Sequence, residues 1–230
     1  MRRVTVVLGI DVAAGRWVGV LLRDGAFAGA AVAASVHALL SGGGLGGDAA
    51  VVGVDMPIGL PALGSVRASD VAAQAFLGPR RRASLFLTPP REALEPDDHA
   101  EASARSVAAT GKGISRQAWG LRARIFELEP VARADARVHE VHPECSFAEL
   151  SRRGVGLAAG KRTWAGTRER EALLRGAGVV LPHDLGTAGE VPVDDVLDAA
   201  VAAWSAARIA AGVALALPAD ARGRDGVIWR

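Results

Sequence analysis

Along the first 55 residues the apolar positions come in short unbroken runs, whereas beyond about residue 115 they recur at helical spacing. Short β-branched and aliphatic runs bounded by turn formers predict buried strands. The first is "RVTVVLGI" (3–10), ended by Asp11 and followed by the turn "VAAGR". "WVGVLLR" (17–23) is the second, and Asp24-Gly25 is a strong hairpin signal. "AFAGAAVA" (26–33) returns as a weaker third strand, so the chain opens as an antiparallel meander. Residues 32–40 fit a short helix, "SGGGLGGD" is a flexible break, and residues 49–55 form a fourth strand ending in Asp55.

Residues 56–114 differ in character. They hold many prolines, the arginines Arg80, Arg81, Arg82 and Arg91, and an acidic patch from Glu92 to Glu101, with helices expected near 68–77 and 97–109. The segment reads as an insertion or cap rather than core. Residues 115–133 return to helical spacing through Trp119, Ile125 and Leu128. A fifth strand follows at 137–141, Pro143 opens a short helix to Leu150, and "KRTWAGTRERE" leads into a helix ending near Arg175. A long Ala-rich helix covers 194–211, and "GVIWR" fits a last short strand. A meander followed by strands joined through helices implies one α/β domain over residues 1–230: a mixed five-stranded sheet with helices on both faces and a mostly helical insertion after strand 4. A right-handed crossover makes the first and fourth strands parallel neighbours. Ligands of open α/β sheets collect at the carboxyl ends of such strands.

Asp11 and Asp55 both sit there, roughly 5 Å apart if their strands are neighbours. Each alone is explained as a turn former satisfied by local amides. Two carboxylates that close repel unless one is protonated or a cation bridges them, and oxygen ligands suit Mg2+ or Mn2+. The last helix, "VDDVLDAAVAAWSAARIAAG", bears on the choice. Asp194 fits an N-cap and Asp195 a first-turn residue. Asp198 lies one turn in, among apolar neighbours, and shares a face with Asp195. Small alanines let this helix lie close to the sheet and aim Asp198, with Asp195, at the Asp11–Asp55 corner. In "VHEVHPECSF", Glu140 and His142 alternate onto one face. His142 fits a metal ligand, a general acid–base or a buried structural histidine, and Glu144 fits a first helical turn.

Composition narrows the picture. The net charge is only +2, and Lys112 and Lys161 are the only lysines among 27 basic residues. That bias fits codon usage better than an RNA-binding surface. One cysteine, Cys145, excludes an intrachain disulfide and a Cys-based zinc cluster. The N-terminal apolar run is too short for a signal peptide, and residues 26–40 and 196–217 are no convincing membrane spans, so a cytoplasmic protein without a membrane partner is expected. With no tyrosine and five phenylalanines, the chain has no basic stripe interleaved with aromatics.

The segments "GIDVAAGRWVGV", "DMPIGLP", "RASDVAAQAFLGPRRRASLFLTPPREAL", "GKGISRQAWGLRARIFELE", "VHEVHPECSF", "KRTWAGTRERE" and "DDVLDAAVAAWSAAR" run in order from Gly9 to Arg208. Together they resemble a family of predicted RNase H-like nucleases, formally domain-of-unknown-function family 429. The family often has Gly-Cys where Val12-Ala13 stands, Cys at Ser69 and a basic residue at Gln74; none of these departures removes a carboxylate. The resemblance implies an RNase H-like fold whose carboxylates correspond to Asp11, Asp55, Asp198 and Asp195. It implies a nuclease using two Mg2+ or Mn2+ ions roughly 3.5–4 Å apart. Asp11 would bridge both ions, Asp55 and Asp198 would hold one each, and Asp195 or Glu140 would complete the shell. Lys161, Arg80, Arg82 and Arg91 are candidate phosphate ligands, with Lys112 and Ser115 of "GKGIS". The partner would be nucleic acid or another phosphodiester. Two other classes stay open. One is phosphotransfer of the actin, Hsp70 and sugar-kinase type, which needs a second copy of the fold and hence a dimer. The other is a non-catalytic nucleic-acid-binding module.

Overall fold

In the computed structural model, which describes residues 4–221, 223 and 226–230, two tight turns fold the N-terminal third into a meander. Ala14-Gly15 joins β1 (Val6–Ala13) to β2 (Arg16–Arg23), and Asp24-Gly25 joins β2 to β3 (Ala26–Ala33). All four turn residues have positive φ, the geometry that matches strand twist in two-residue hairpins. β4 (Val51–Val54) pairs parallel to β1, and β5 (Val138–Glu140) parallel to β4, giving the order β3-β2-β1-β4-β5. This is the expected RNase H-like mixed sheet. Arg3, placed in the first strand by the sequence, lies outside the described residues.

One strand end differs from expectation. β1 does not stop at Asp11 but runs on to Ala13, because β2 pairs with it along its whole length, Ala13 opposite Arg16. The parallel pairing with β4 ends earlier, at Ile10 opposite Val54, with one further bond from Asp55 N–H to the Ile10 carbonyl at 2.9 Å. Asp11 therefore stands where its parallel neighbour ends, not where its own strand ends.

The helices follow as α1 (Val36–Leu40), α2 (Ala68–Leu77), α3 (Arg91–Leu94), α4 (His99–Thr110), α5 (Arg116–Gly120), α6 (Arg122–Ala134), α7 (Pro143–Leu150), α8 (Trp164–Gly176) and α9 (Val193–Ala210). α1 starts four residues later than expected, because β3 still pairs at Ala33 and Ser35 caps the helix by accepting from Ala38 N–H at 3.2 Å. Strand alternation splits the core in two. Leu8, Ile10, Val52 and Val54 pack on one face with Leu39, Leu94, Ile125 and Leu128. Val7, Val20 and Leu22 pack on the other with Phe147, Leu174, Leu197 and Val201. The 56–114 segment is not set apart from the core: Met56, Ile58, Ala93, Leu94, Ala102 and Ile114 belong to the first cluster. The tail strand β7 (Ile228–Trp229) pairs with β6 (Ala216–Leu217) and touches the main sheet's end through a bridge to Val141. Among the described residues no helix is long and apolar enough to cross a membrane.

α9 lies across β1, β2 and β4 in unusually close contact. Gly9 and Gly53 are register partners beneath it. A Cβ on Gly9 would stand 2.1 Å from both Ala199 O and Ala203 N, and one on Gly53 would stand 2.7 Å from Ala202 O. Those obstacles are helix backbone and cannot rotate away. Gly19, also in the sheet, meets only side chains at 3.4 Å. In urea denaturation, Gly9→Ala should cost about 3 kcal/mol or more, because α9 must lift, while Gly19→Ala should change stability by about 1 kcal/mol or less.

Candidate metal centre

Alternation along β1 and β4 puts Val7, Gly9 and Asp11, and likewise Val51, Gly53 and Asp55, on the face that α9 covers. Each aspartate stands two residues beyond a glycine that lets α9 approach. Asp198 immediately precedes Ala199, whose carbonyl meets Gly9, so helix contact and carboxylate placement are one event. Carboxylate oxygens of Asp11, Asp55 and Asp198 lie within 4.8 Å of one another, the one group among the described residues that could hold a metal ion. Asp11 and Asp198 are only 6% and 2% exposed, and Asp55 is half-buried.

Burial and mutual repulsion raise the pKa of all three carboxyls. Burial, then Asp55 and Asp198, raise Asp11 well above the usual carboxylate range. Burial, with Asp198 next, pushes Asp55 up to about 8. Burial raises Asp198 to about 6 against the opposing pull of Lys161. Lys161 Nζ donates to Asp198 Oδ2 at 2.5 Å and lies 3.7 Å from Asp194 Oδ2; burial lowers its own pKa, but Asp198, Asp11 and Asp55 together raise it. Asp198 Oδ1 stays buried with no hydrogen-bond partner. Three hard oxygen donors within 4.8 Å fit one divalent cation with ligand distances of about 2.0–2.4 Å, and such an ion would satisfy the orphaned oxygen.

The remaining acidic candidates separate. Glu140, expected as an alternative member of the shell, is engaged elsewhere: its Oε2 accepts from Arg67 Nη2 at 2.5 Å and from Ile58 N–H at 2.7 Å. Burial pushes it up to about 7 even against Arg67. Arg67 also donates to Thr88 at 3.0 Å, and Asp70 accepts from Thr88 N–H at 2.7 Å. This buried network holds the backbone at Ile58, three residues after Asp55, against β5. Asp195 is partly buried beside the three and is not among them. Asp194 is not the N-cap of α9, a position taken by Pro192. It is buried and accepts from Arg162 Nε at 3.1 Å. Glu144 does occupy the first turn of α7, but one oxygen accepts from the fully buried Arg170 at 2.5 Å and the other has no partner. Arg170 also donates to the Ala159 carbonyl at 3.2 Å, which ties down the loop carrying Lys161.

A cavity of about 600 Å³ opens from the carboxylates, lined by Lys161, His142, Glu144 and Glu140 and by the loop after α2. Burial lowers His142 to about 4, so it is neutral, and its Nδ1 is buried without a partner. Of the expected phosphate ligands, Lys161 is the one that lines this space. Arg80 and Arg82 are exposed and do not line it. Arg91 is engaged by Glu129 and stands 5.1 Å over the Phe126 ring. Lys112 is exposed, and its carbonyl accepts from Ser106. Ser115 caps α5, accepting from Ala118 N–H at 3.1 Å. The arginines that do line the cavity, Arg81 and Arg162, were not singled out by the sequence. Only tertiary placement separates Arg81 from Arg80 and Arg82 on either side.

The model of the family described as "Protein of unknown function (DUF429)" matches residues 9–222. No curated protein and no solved structure matches the chain.

Asp55 keeps its proton to about pH 8 when folded but loses it near pH 4 when unfolded. The folded state therefore binds more protons between those values, and stability falls as pH rises through them. Asp55→Asn removes this dependence. In thermal melts without divalent metal, the variant should gain several degrees on the parent between about pH 5 and about pH 9, and excess Mn2+ should reverse the order by stabilising only the parent. Separately, Arg67→Met should cost about 3–5 kcal/mol in denaturant melts by leaving Glu140 buried and uncompensated, and Glu140→Gln in the same chain should recover part of the loss.

Proposed function

We propose, for a chain that belongs to the DUF429 family, that Asp11, Asp55 and Asp198 form the metal centre of a nuclease hydrolysing phosphodiester bonds. The observation that carries this reading is the convergence of three carboxylates, two of them buried and one of those with an orphaned oxygen, at the end of a cavity whose walls bear Lys161, Arg81 and Arg162. Acidic residues on the floor suit a cation; basic residues on the walls suit an anionic substrate.

A bound Mg2+ or Mn2+ supplies a water activated for attack and charge stabilisation of the phosphate. Asp11, Asp55 and Asp198 would hold it. With Glu140 engaged by Arg67, Asp195 is the residue that would complete the shell of a second ion. Lys161, standing at the cavity wall, offers its remaining donors to a phosphate oxygen, as does Arg162, whose Nε is bonded to Asp194; Arg81 lines the cavity but spends Nε and Nη2 on the Leu157 and Ala158 carbonyls. His142, being neutral, presents a ring nitrogen without adding positive charge. The Arg67–Glu140 pair holds the backbone at Ile58, and Arg170 holds the loop of Lys161, so both catalytic walls rest on buried ion pairs. A phosphotransfer protein closing two copies of the fold over a nucleotide is less well supported, because the described residues build one such sheet.

The test is Mn2+-dependent cleavage of RNA, DNA, hybrid and branched substrates by the parent chain and by Asp11→Asn. Cleavage should fall by about two orders of magnitude or more in the variant. Equal cleavage by both, or thermal stabilisation by ATP and not by Mn2+, would refute the proposal.

A further inference from the structure

We infer that the strand entering this site is single-stranded nucleic acid, and that Trp164 is the platform on which the base outside the cavity stacks. The inference rests on the nuclease reading, which it deepens by naming the substrate class.

Three observations converge. The first is depth. Asp11 and Asp198 are almost wholly buried, and the cavity leading to them, about 600 Å³, has the size of a pocket for one small ligand. A rigid duplex carries its phosphates on a broad outer surface, which does not fold into a pocket of this size. An unpaired strand bends one phosphate into it.

The second is Trp164 itself. It is 80% exposed, while Trp17 is fully buried, and it is the one aromatic among the large exposed apolar side chains of the described residues. Half-exposed aliphatic side chains are ordinary on a protein surface; an indole left almost entirely in water is not. Its backbone is well fixed. Trp164 opens α8, and Thr163 caps that helix by accepting from Gly166 N–H at 3.1 Å. It follows Lys161, the ammonium bound to Asp198, by three residues, so their Cα atoms are at most about 11 Å apart. Trp164 does not itself line the cavity; it stands two residues beyond Arg162, which does.

The third is charge. The Arg168 guanidinium, paired with Glu171, stands over the Trp164 ring, 5.6 Å from its centre, and the side chain of Arg162, which lines the cavity and bonds Asp194 through Nε, is 83% exposed. An exposed indole takes a base by stacking, and guanidinium donors left over from such pairs take a phosphate. The net charge of only +2 and the pairing of most inner arginines leave little for sequence-independent duplex binding, which depends on many phosphate contacts.

Tryptophan fluorescence in EDTA tests this without catalysis. The probes are short unstructured RNA and DNA strands, a blunt duplex of the same sequence, and a mononucleotide. A single strand should quench emission; Trp164→Phe should lose most of that quench while keeping near-parental affinity, and Trp164→Ala should weaken binding by about 5- to 100-fold with unchanged melting temperature. The duplex and the mononucleotide should bind more weakly than the strand. Duplex binding as tight as strand binding, mononucleotide binding as tight as strand binding, or unchanged affinity in Trp164→Ala would each overturn the inference. Strand-dependent quenching with no Mn2+-dependent cleavage supports the platform and refutes the nuclease reading. Mn2+-dependent cleavage of single strands that Trp164→Ala leaves unimpaired refutes the platform and spares the nuclease.

Discussion

The backbone-to-backbone contact between α9 and the glycine pair Gly9–Gly53 is the constraint on which the rest of the molecule depends. With no Cβ on either strand, the helix settles against the sheet through Ala199, Ala202 and Ala203. Asp198, next in line on α9, is carried to the level of Asp11 and Asp55, each two residues beyond its glycine and hence on the same face. The repeated Gly-x-Asp of "GID" and "GVD" is thus a spacing device: the glycine sets the helix height, and the aspartate uses it. A larger residue at either glycine would open the core and separate the ligands together.

Concentrating three carboxylates in a poorly solvated corner is unfavourable, and the surrounding residues show how the fold tolerates it. Every other buried acid near the centre has a basic partner of its own: Glu140 has Arg67, Glu144 has Arg170, Asp194 has Arg162 and Lys161. These pairs contribute less to net stability than their short distances suggest, because desolvation offsets the attraction. What they do contribute is position. Each ties a loop that borders the cavity to an element of the core, and each takes one carboxylate out of competition for a cation. Among the described residues, Asp11 and Asp55 on the glycine-spaced face make no ion pair, and Asp198 above them pairs with Lys161 through one oxygen alone.

This division explains what the sequence reveals and what it hides. Apolar runs, the Asp24-Gly25 turn and the Ala-rich helix with an interior aspartate are local patterns. They suffice to predict the sheet order and to single out Asp11, Asp55 and Asp198. Arg67 and Glu140 are 73 positions apart, and Lys161 and Asp198 are 37 apart. No local pattern records such pairings, so Glu140 reads as a free carboxylate and Asp194 as a helix cap. Arginines are harder still: Arg80, Arg81 and Arg82 are identical in kind, and the backbone path after α2 alone decides that the middle one faces the cavity. The Gly-x-Asp repeat was available as a local signal for the helix approach, and it is the one clue that a reading focused on the carboxylates passes over.

Lys161 is where composition and mechanism meet. The chain uses arginine almost everywhere a cation is needed, including the fully buried position 170. Arginine suits those places because a planar fork with several fixed donors locks a carboxylate in one geometry and never loses its charge. Beside the three carboxylates such a lock would be a disadvantage, since two parallel bonds to Asp198, like those Arg137 makes to Asp135, would occupy both of its oxygens. An ammonium is a compact point charge on a flexible stem. It neutralises Asp198 through one oxygen and leaves the other unbonded, as found. A lysine at this position therefore balances charge in the ion-free chain through one oxygen and has no second parallel donor with which to close the other.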